Sequence, residues 1–186
     1  GKHKFYLVEP GGGKTLSLLM PLVSAFISNH FIGIRILVLP YNFLATHQYS
    51  SIKKKLNDAF GTQIKVHMIT GHSIPDSSTD PLPKNLMEDN HHVLITTIDG
   101  MAKILQHHCH ILHSWKQRGL LRGIYIDEIQ TIFQEYNFRT SYESLSLLSS
   151  IGVDVHFLSG TFPTDFILPM MLHLQLVTTQ QSYEDI

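Results

Sequence analysis

The stretch from Val8 to Leu19, VEPGGGKTLSLL, sets three consecutive glycines and a Lys-Thr pair between two apolar flanks. Glycines let a main chain come close to a ligand. The N–H groups of such a turn, and of the helix it opens, point toward bound phosphate. Lys14 would then neutralise the outer phosphates of a nucleoside triphosphate, and Thr15 would help hold Mg²⁺. Pro10, Gly11, Gly12, Gly13, Lys14, Thr15 and Leu16 form the expected contact set. The second pair that could do chemistry is Asp127-Glu128, closing the apolar run GIYIDE. Beside a phosphate cradle, Asp127 would hold the metal ion, while Glu128 would orient and deprotonate an attacking water.

Both pairs need strands to aim them. KFYLVE reads as a short buried strand, followed by a helix from Lys14 to about Asn29. IRILVLP is the next apolar run, closed by Pro40, and a helix to about Ala59 follows. IKVHMI is a third strand. The Pro-, Ser- and Asp-rich GHSIPDSSTDPLPKN reads as one long surface loop. HVLITT is a fourth strand, leading into a helix from about Ile98 to His113; GIYIDE and VDVHFLSG are two more, separated by a helix around Tyr142 to Ser149. Short apolar runs alternating with helices predict one α/β domain over residues 1–186, a three-layer P-loop fold with a mostly parallel central sheet. The glycine turn and Asp127-Glu128 then fall at strand C-terminal ends, where such sheets bind ligands.

Composition narrows the class. Hydrophobic residues make up 43% of the 186 and charged residues 16%, which excludes a disordered tail. The net charge of -1 excludes a strongly basic body but not a local basic groove. A single cysteine, Cys109, excludes an internal disulfide and a cysteine-based zinc ribbon, and fits a reducing, intracellular setting. LSLLMPLVSAFI is too short for a membrane span and is interrupted by Ser17 and Pro21. The cluster HHCHILH, residues 107–113, lacks a spaced partner set for four-ligand zinc, so its histidines are read as a helix end.

GGGKT, DEIQ and LSGTFP, in that order, resemble motifs I, II and III of the first RecA-like lobe of superfamily 2 helicases. Within that group the chain is most similar to the RecQ family. GGGKTLSLLMPL resembles its motif I, and VLPYNFLATHQ its motif Ia, with Pro40, Leu44 and Gln48 in matching places. TIFQEYNFRTSYESL resembles its aromatic-rich loop. Three differences stand out: Gln130 replaces a histidine, Ser159-Gly160-Thr161 replaces a Ser/Thr-Ala-Thr, and the loop is one residue short and without tryptophan.

The resemblance implies a lobe that binds Mg-ATP and hydrolyses it to move 3'-5' along single-stranded DNA and unwind duplexes, in DNA repair and recombination in the nucleus. Gln130 joins Lys14, Asp127 and Glu128 as a catalytic residue, and Ser159 and Thr161 would couple hydrolysis to DNA. Relative to that family the chain is expected to be truncated at its N-terminus and to lack the second RecA-like lobe, supplied in cis or in trans, with its arginine finger. Alone it is expected to be inactive. The alternative is a decayed helicase that binds nucleotide or DNA without turnover. A nucleotide kinase would be expected to carry an arginine-rich lid, and the sequence offers none.

A motor sliding over any sequence grips phosphates and stacks bases on rings. Tyr136, Phe138 and Arg139 offer rings and a cation together, or are an ordinary loop. Thr97 either bonds a phosphate or caps the following helix. Lys53, Lys54 and Lys55 read as a solvated helix face.

Overall fold

A computed structural model describes residues 3–9, 12–28, 33–74, 91–132 and 140–176, without the side chains of residues 16, 17 and 140. Six strands form one parallel sheet: β1 (Lys4–Leu7), β2 (Ile34–Leu39), β3 (Ile64–Ile69), β4 (His91–Thr97), β5 (Leu121–Asp127) and β6 (Val155–Ser159). Their order is β1-β6-β5-β2-β4-β3. Every residue of β2, β4 and β6 is buried, as expected of strands covered on both faces.

Helices α1 (Lys14–Ile27) and α2 (Asn42–Phe60) lie over one face. There Leu18, Leu22, Ile52 and Leu56 pack on Leu37, Leu39, Tyr125 and Leu158. Pro21 cannot donate within α1. Its carbonyl instead accepts a 3.2 Å bond from Arg35 Nη2 on β2, fastening the helix to the sheet. On the other face α3 (Ile98–His107), α4 (Cys109–Gln117), a 3₁₀ segment (Thr140–Leu147), α5 (Leu148–Ile151) and α6 (Ile167–His173) surround the larger core. It includes Ile36, Met101, Leu112, Trp115, Ile126, Tyr142 and Phe157.

The three-layer parallel fold and all six strand positions match expectation, but β1, expected to be buried, is an edge strand with no buried residue: Lys4 and Leu7 are exposed and Phe5 and Tyr6 half-buried. The helix expected over 98–113 does not run through: at His108 the backbone turns to φ -130°, so α3 packs on the 3₁₀ segment and α4 on β5 and α5. The helix expected around 142–149 is mostly 3₁₀. Within it Ser146 donates to the Glu143 carbonyl at 2.8 Å, and from α5 Ser149 and Ser150 donate back to the Ser146 and Leu147 carbonyls at 2.8 and 2.7 Å, so side-chain hydroxyls occupy backbone acceptors of the segment. The strand expected from HVLITT begins one residue earlier: His91 and His92 are the first two residues of β4 and are buried, with His92 Nδ1 3.2 Å from His67 Nε2. The long loop expected over residues 71–85 lies outside the described residues from residue 75 onward. Among the described residues no three His, Cys, Asp or Glu lie together as a metal cluster, and no helix is long and apolar enough to cross a membrane.

Candidate functional site

Three strand ends converge on one cleft. After β1 the chain stays paired to β6 through Val8 N and Ser159 O at 2.9 Å, then tightens into a turn closed by Gly12 N and Glu9 O at 2.8 Å. The turn needs its glycines. A Cβ at Gly12 would stand 2.8 Å from Val8 Cγ1 and 3.0 Å from Glu9 O. Gly13 caps α1 with φ 90° and ψ 30°, a left-handed conformation that suits a residue without a Cβ. No side chain caps this helix and no acidic residue stands in its first turn. Its amides and the positive end of its dipole therefore form a cradle for an anion.

Lys14 opens α1 and reaches across to the end of β5. Its ammonium pairs with Glu128 Oε1 and lies 3.6 Å from Asp127 Oδ1. Burial pushes the Asp127 carboxyl above the ordinary aspartate range, against the pull of Lys14. Burial also opposes ionisation of Glu128, but the hydrogen bonds from Lys14 and Gln130 outweigh it and hold that carboxyl below the usual glutamate value. A buried acid next to a charged one, with a single shared cation, suits a site that takes up further positive charge.

From Glu128 the contacts run on to the end of β6. Gln130 Nε2 donates to Glu128 Oε2, and Ser159 Oγ donates to Gln130 Oε1 at 2.7 Å. Thr161 N donates to Ser159 Oγ at 3.3 Å. Five residues from three separate stretches, Lys14, Glu128, Gln130, Ser159 and Thr161, thus form one chain of polar contacts. Two of these, Lys14 and Glu128, also line a cleft of about 450 Å³, together with Gly13, Thr15 and Asp127 and with Leu19 and Leu39.

Residues not expected in the cleft close its far wall. Leu44, Gln48 and Lys55 line it from α2. Their spacing of four and seven residues puts them on one helical face, which was the available signal. Lys53 and Lys54 are exposed as expected, whereas Lys55 both meets solvent and faces the cleft. Thr97 takes the second of its two alternatives: it is 2% exposed, and its Oγ1 accepts from Gly100 N at 3.1 Å, capping α3. Leu16 occupies the first turn of α1. Pro10, Gly11, Tyr136, Phe138 and Arg139 lie outside the described residues.

Comparison with known proteins agrees with this layout at the level of fold. The chain superposes on two crystal structures of the DUF1998 helicase MrfA, one bound to DNA and AMPPNP and one bound to DNA, with TM-scores of 0.64 and 0.63. Identity is 22% in both, over 93% of this chain and 24% of the other. The chain therefore spans about a quarter of the helicase chains it matches. No curated protein matches the sequence. The DEAD/DEAH box helicase family matches residues 1–167, nine-tenths of the chain, so this protein belongs to that family and its parallel α/β domain is a superfamily 2 helicase first lobe.

Proposed function

We propose that the chain is the ATP-binding lobe of a RecQ-like DNA helicase, one that uses Mg-ATP hydrolysis to move 3'-5' on single-stranded DNA and part duplexes. The convergence of Lys14, Asp127 and Glu128 on one cleft, with Gln130 bonded to Glu128 and Ser159 to Gln130, carries this reading. The span of about a quarter of MrfA, whose structures hold DNA and AMPPNP, fits a lobe that works with a second one. The RecQ assignment rests on the aromatic-rich stretch after Gln130 and on the motif Ia likeness.

The residues present fit Mg-ATP. The turn at Gly12 has no room for a Cβ, the first-turn amides of α1 lack a capping side chain, and Lys14 supplies a cation beside them. The Thr15 hydroxyl and the Asp127 carboxylate are hard oxygen donors of the kind Mg²⁺ takes. Bound Mg-ATP would supply the phosphoanhydride whose cleavage drives the motor. Lys14 would leave Glu128 to meet phosphate charge, which frees the Glu128 carboxylate to take a proton from water at Oε1. Gln130 would keep hold of the opposite oxygen, Oε2, so the base stays aimed during this exchange. Ser159 and Thr161 would carry the state of that cluster toward the nucleic acid. Phosphoryl-transfer enzymes of this kind gain roughly 10³–10⁵ in rate from an arginine finger. The lobe alone should therefore bind nucleotide and turn over poorly.

The test is ATP hydrolysis with a second RecA-like lobe supplied, with and without single-stranded DNA. DNA-stimulated turnover that disappears in Glu128→Gln supports the reading. Background that is the same in both proteins, with or without DNA, refutes it and favours a nucleotide- or DNA-binding remnant.

A further inference from the structure

Glu128 has φ 53°, one of two non-glycine residues with positive φ among those described. A side chain with a Cβ keeps that conformation only where neighbours hold it. The hold comes from Thr131. Its amide donates to the Glu128 carbonyl at 3.0 Å and its Oγ1 donates to the same oxygen at 2.8 Å. That hydroxyl also accepts a 2.9 Å bond from the Tyr142 phenol. One hydroxyl can donate once and accept twice, so both bonds coexist and each polarises the other. Thr131 is 7% exposed and Tyr142 1%, so little water competes for either.

Tyr142 belongs to the 3₁₀ segment, which is fastened on its other side. Ser141 Oγ donates to Asp99 Oδ1 at 2.6 Å, and Gln106 Nε2 donates to Ser144 Oγ at 2.6 Å. Asp99 stands in the first turn of α3 and Gln106 in its last. Adjacent residues of one turn, Ser141 and Tyr142, therefore join the start of α3 to the turn that aims Glu128.

We infer that Thr131 and Tyr142 are positioning residues for Glu128, the Tyr142–Thr131–Glu128 hydrogen-bond chain fixing the backbone turn that points the carboxylate into the cleft. The inference rests on the reading of Glu128 as the group that activates water. The chain is separate from the Lys14 and Gln130 contacts, which hold the carboxylate oxygens; it holds the backbone beneath them. Because the same segment grips α3, displacement of the first turn of α3 is carried to Glu128.

Two variants remove the chain with little change of shape: Tyr142→Phe deletes the phenol and Thr131→Val the hydroxyl. The readout on the 186-residue chain is the Glu128 HN–Hα three-bond coupling, which follows φ. It moves from the wild-type value in both variants and returns in Thr131→Ser, while affinity for a fluorescent Mg-nucleotide is unchanged. With a second lobe supplied, kcat falls about tenfold at unchanged KM, within the range that small misplacements of a reacting group produce. The double variant is no slower than Thr131→Val alone, because both changes cut one chain. A wild-type coupling, or a wild-type kcat, in both variants overturns the inference and leaves Tyr142 as ordinary core. Hydrolysis that survives Glu128→Gln refutes the base reading instead; the coupling, measured without turnover, is independent of it.

Discussion

Gly12→Ala puts the geometry of the cradle under direct strain. The added Cβ would stand 2.8 Å from Val8 Cγ1 and 3.0 Å from Glu9 O, both inside ordinary carbon contact distances. Glu9 O cannot simply withdraw, because it accepts the 2.8 Å bond from Gly12 N that closes the turn. Forcing a methyl into a filled space costs about 1–3 kcal/mol. For a chain of this length each kcal/mol lowers Tm by about 2–4 °C, so the expected loss is about 2–12 °C by differential scanning calorimetry. Nucleotide affinity should fall with it, since the turn must open to admit the methyl. Val8→Ala removes the closer of the two obstacles and should return part of the lost stability in the double variant. The Glu9 carbonyl contact stays in that variant, so recovery is incomplete. A Gly12→Ala protein that melts within about 1 °C of wild type would show that the turn has slack the distances deny.

Mg-ATP at a hundred times its dissociation constant should stabilise the chain by about 2.7 kcal/mol, and Lys14→Ala should abolish that rise in Tm; an undiminished shift would place the nucleotide elsewhere. Thr97→Ala removes the α3 cap and should cost about 0.5–2 kcal/mol in denaturant unfolding, with Thr97→Ser close to wild type. Acidification should also destabilise the fold. Burial holds His3, His91 and His156 below the usual histidine value, and His67 likewise beside Lys65 and Lys53. Unfolded, each takes its proton near pH 6.5. Below that pH the unfolded chain binds more protons than the folded one, so stability drops as pH falls through about 6.5 toward 5. A Tm that does not decline over that window would refute this. His156→Gln should flatten the decline.

Strand positions were legible because a parallel strand covered on both faces reads as an unbroken apolar run. IRILVL and VHFLS are buried at every residue. Their order was not legible. β1 and β6 are neighbours although Lys4 pairs with His156, and nothing in two equally apolar runs encodes that choice. The break at His108 and the 3₁₀ segment were missed for a different reason. Buried apolar residues flank the first, Leu105 and Leu112, and sit within the second, Tyr142 and Leu145, and that pattern does not fix how the backbone turns between them.

The same division runs through the site. GGGKT and Asp127-Glu128 stood out because few other roles require three glycines or adjacent carboxylates at the end of a greasy strand. Gln130 and Ser159 were singled out by position in a motif, but their 2.7 Å contact bridges 29 residues of chain and two neighbouring strands. Only the β5–β6 pairing, with Asp127 beside Leu158, brings them together. Thr131 and Tyr142, though both fall in the aromatic-rich stretch, were given no part in the site because a buried threonine and a buried tyrosine are common in cores. Their significance lies in the left-handed backbone of Glu128, and no residue type predicts a positive φ for glutamate. Charge and glycine thus mark where a ligand's phosphates can lie, whereas the parts that hold a carboxylate at its working angle are neutral hydroxyls and amides. They become visible only once the sheet order sets one strand end against the next.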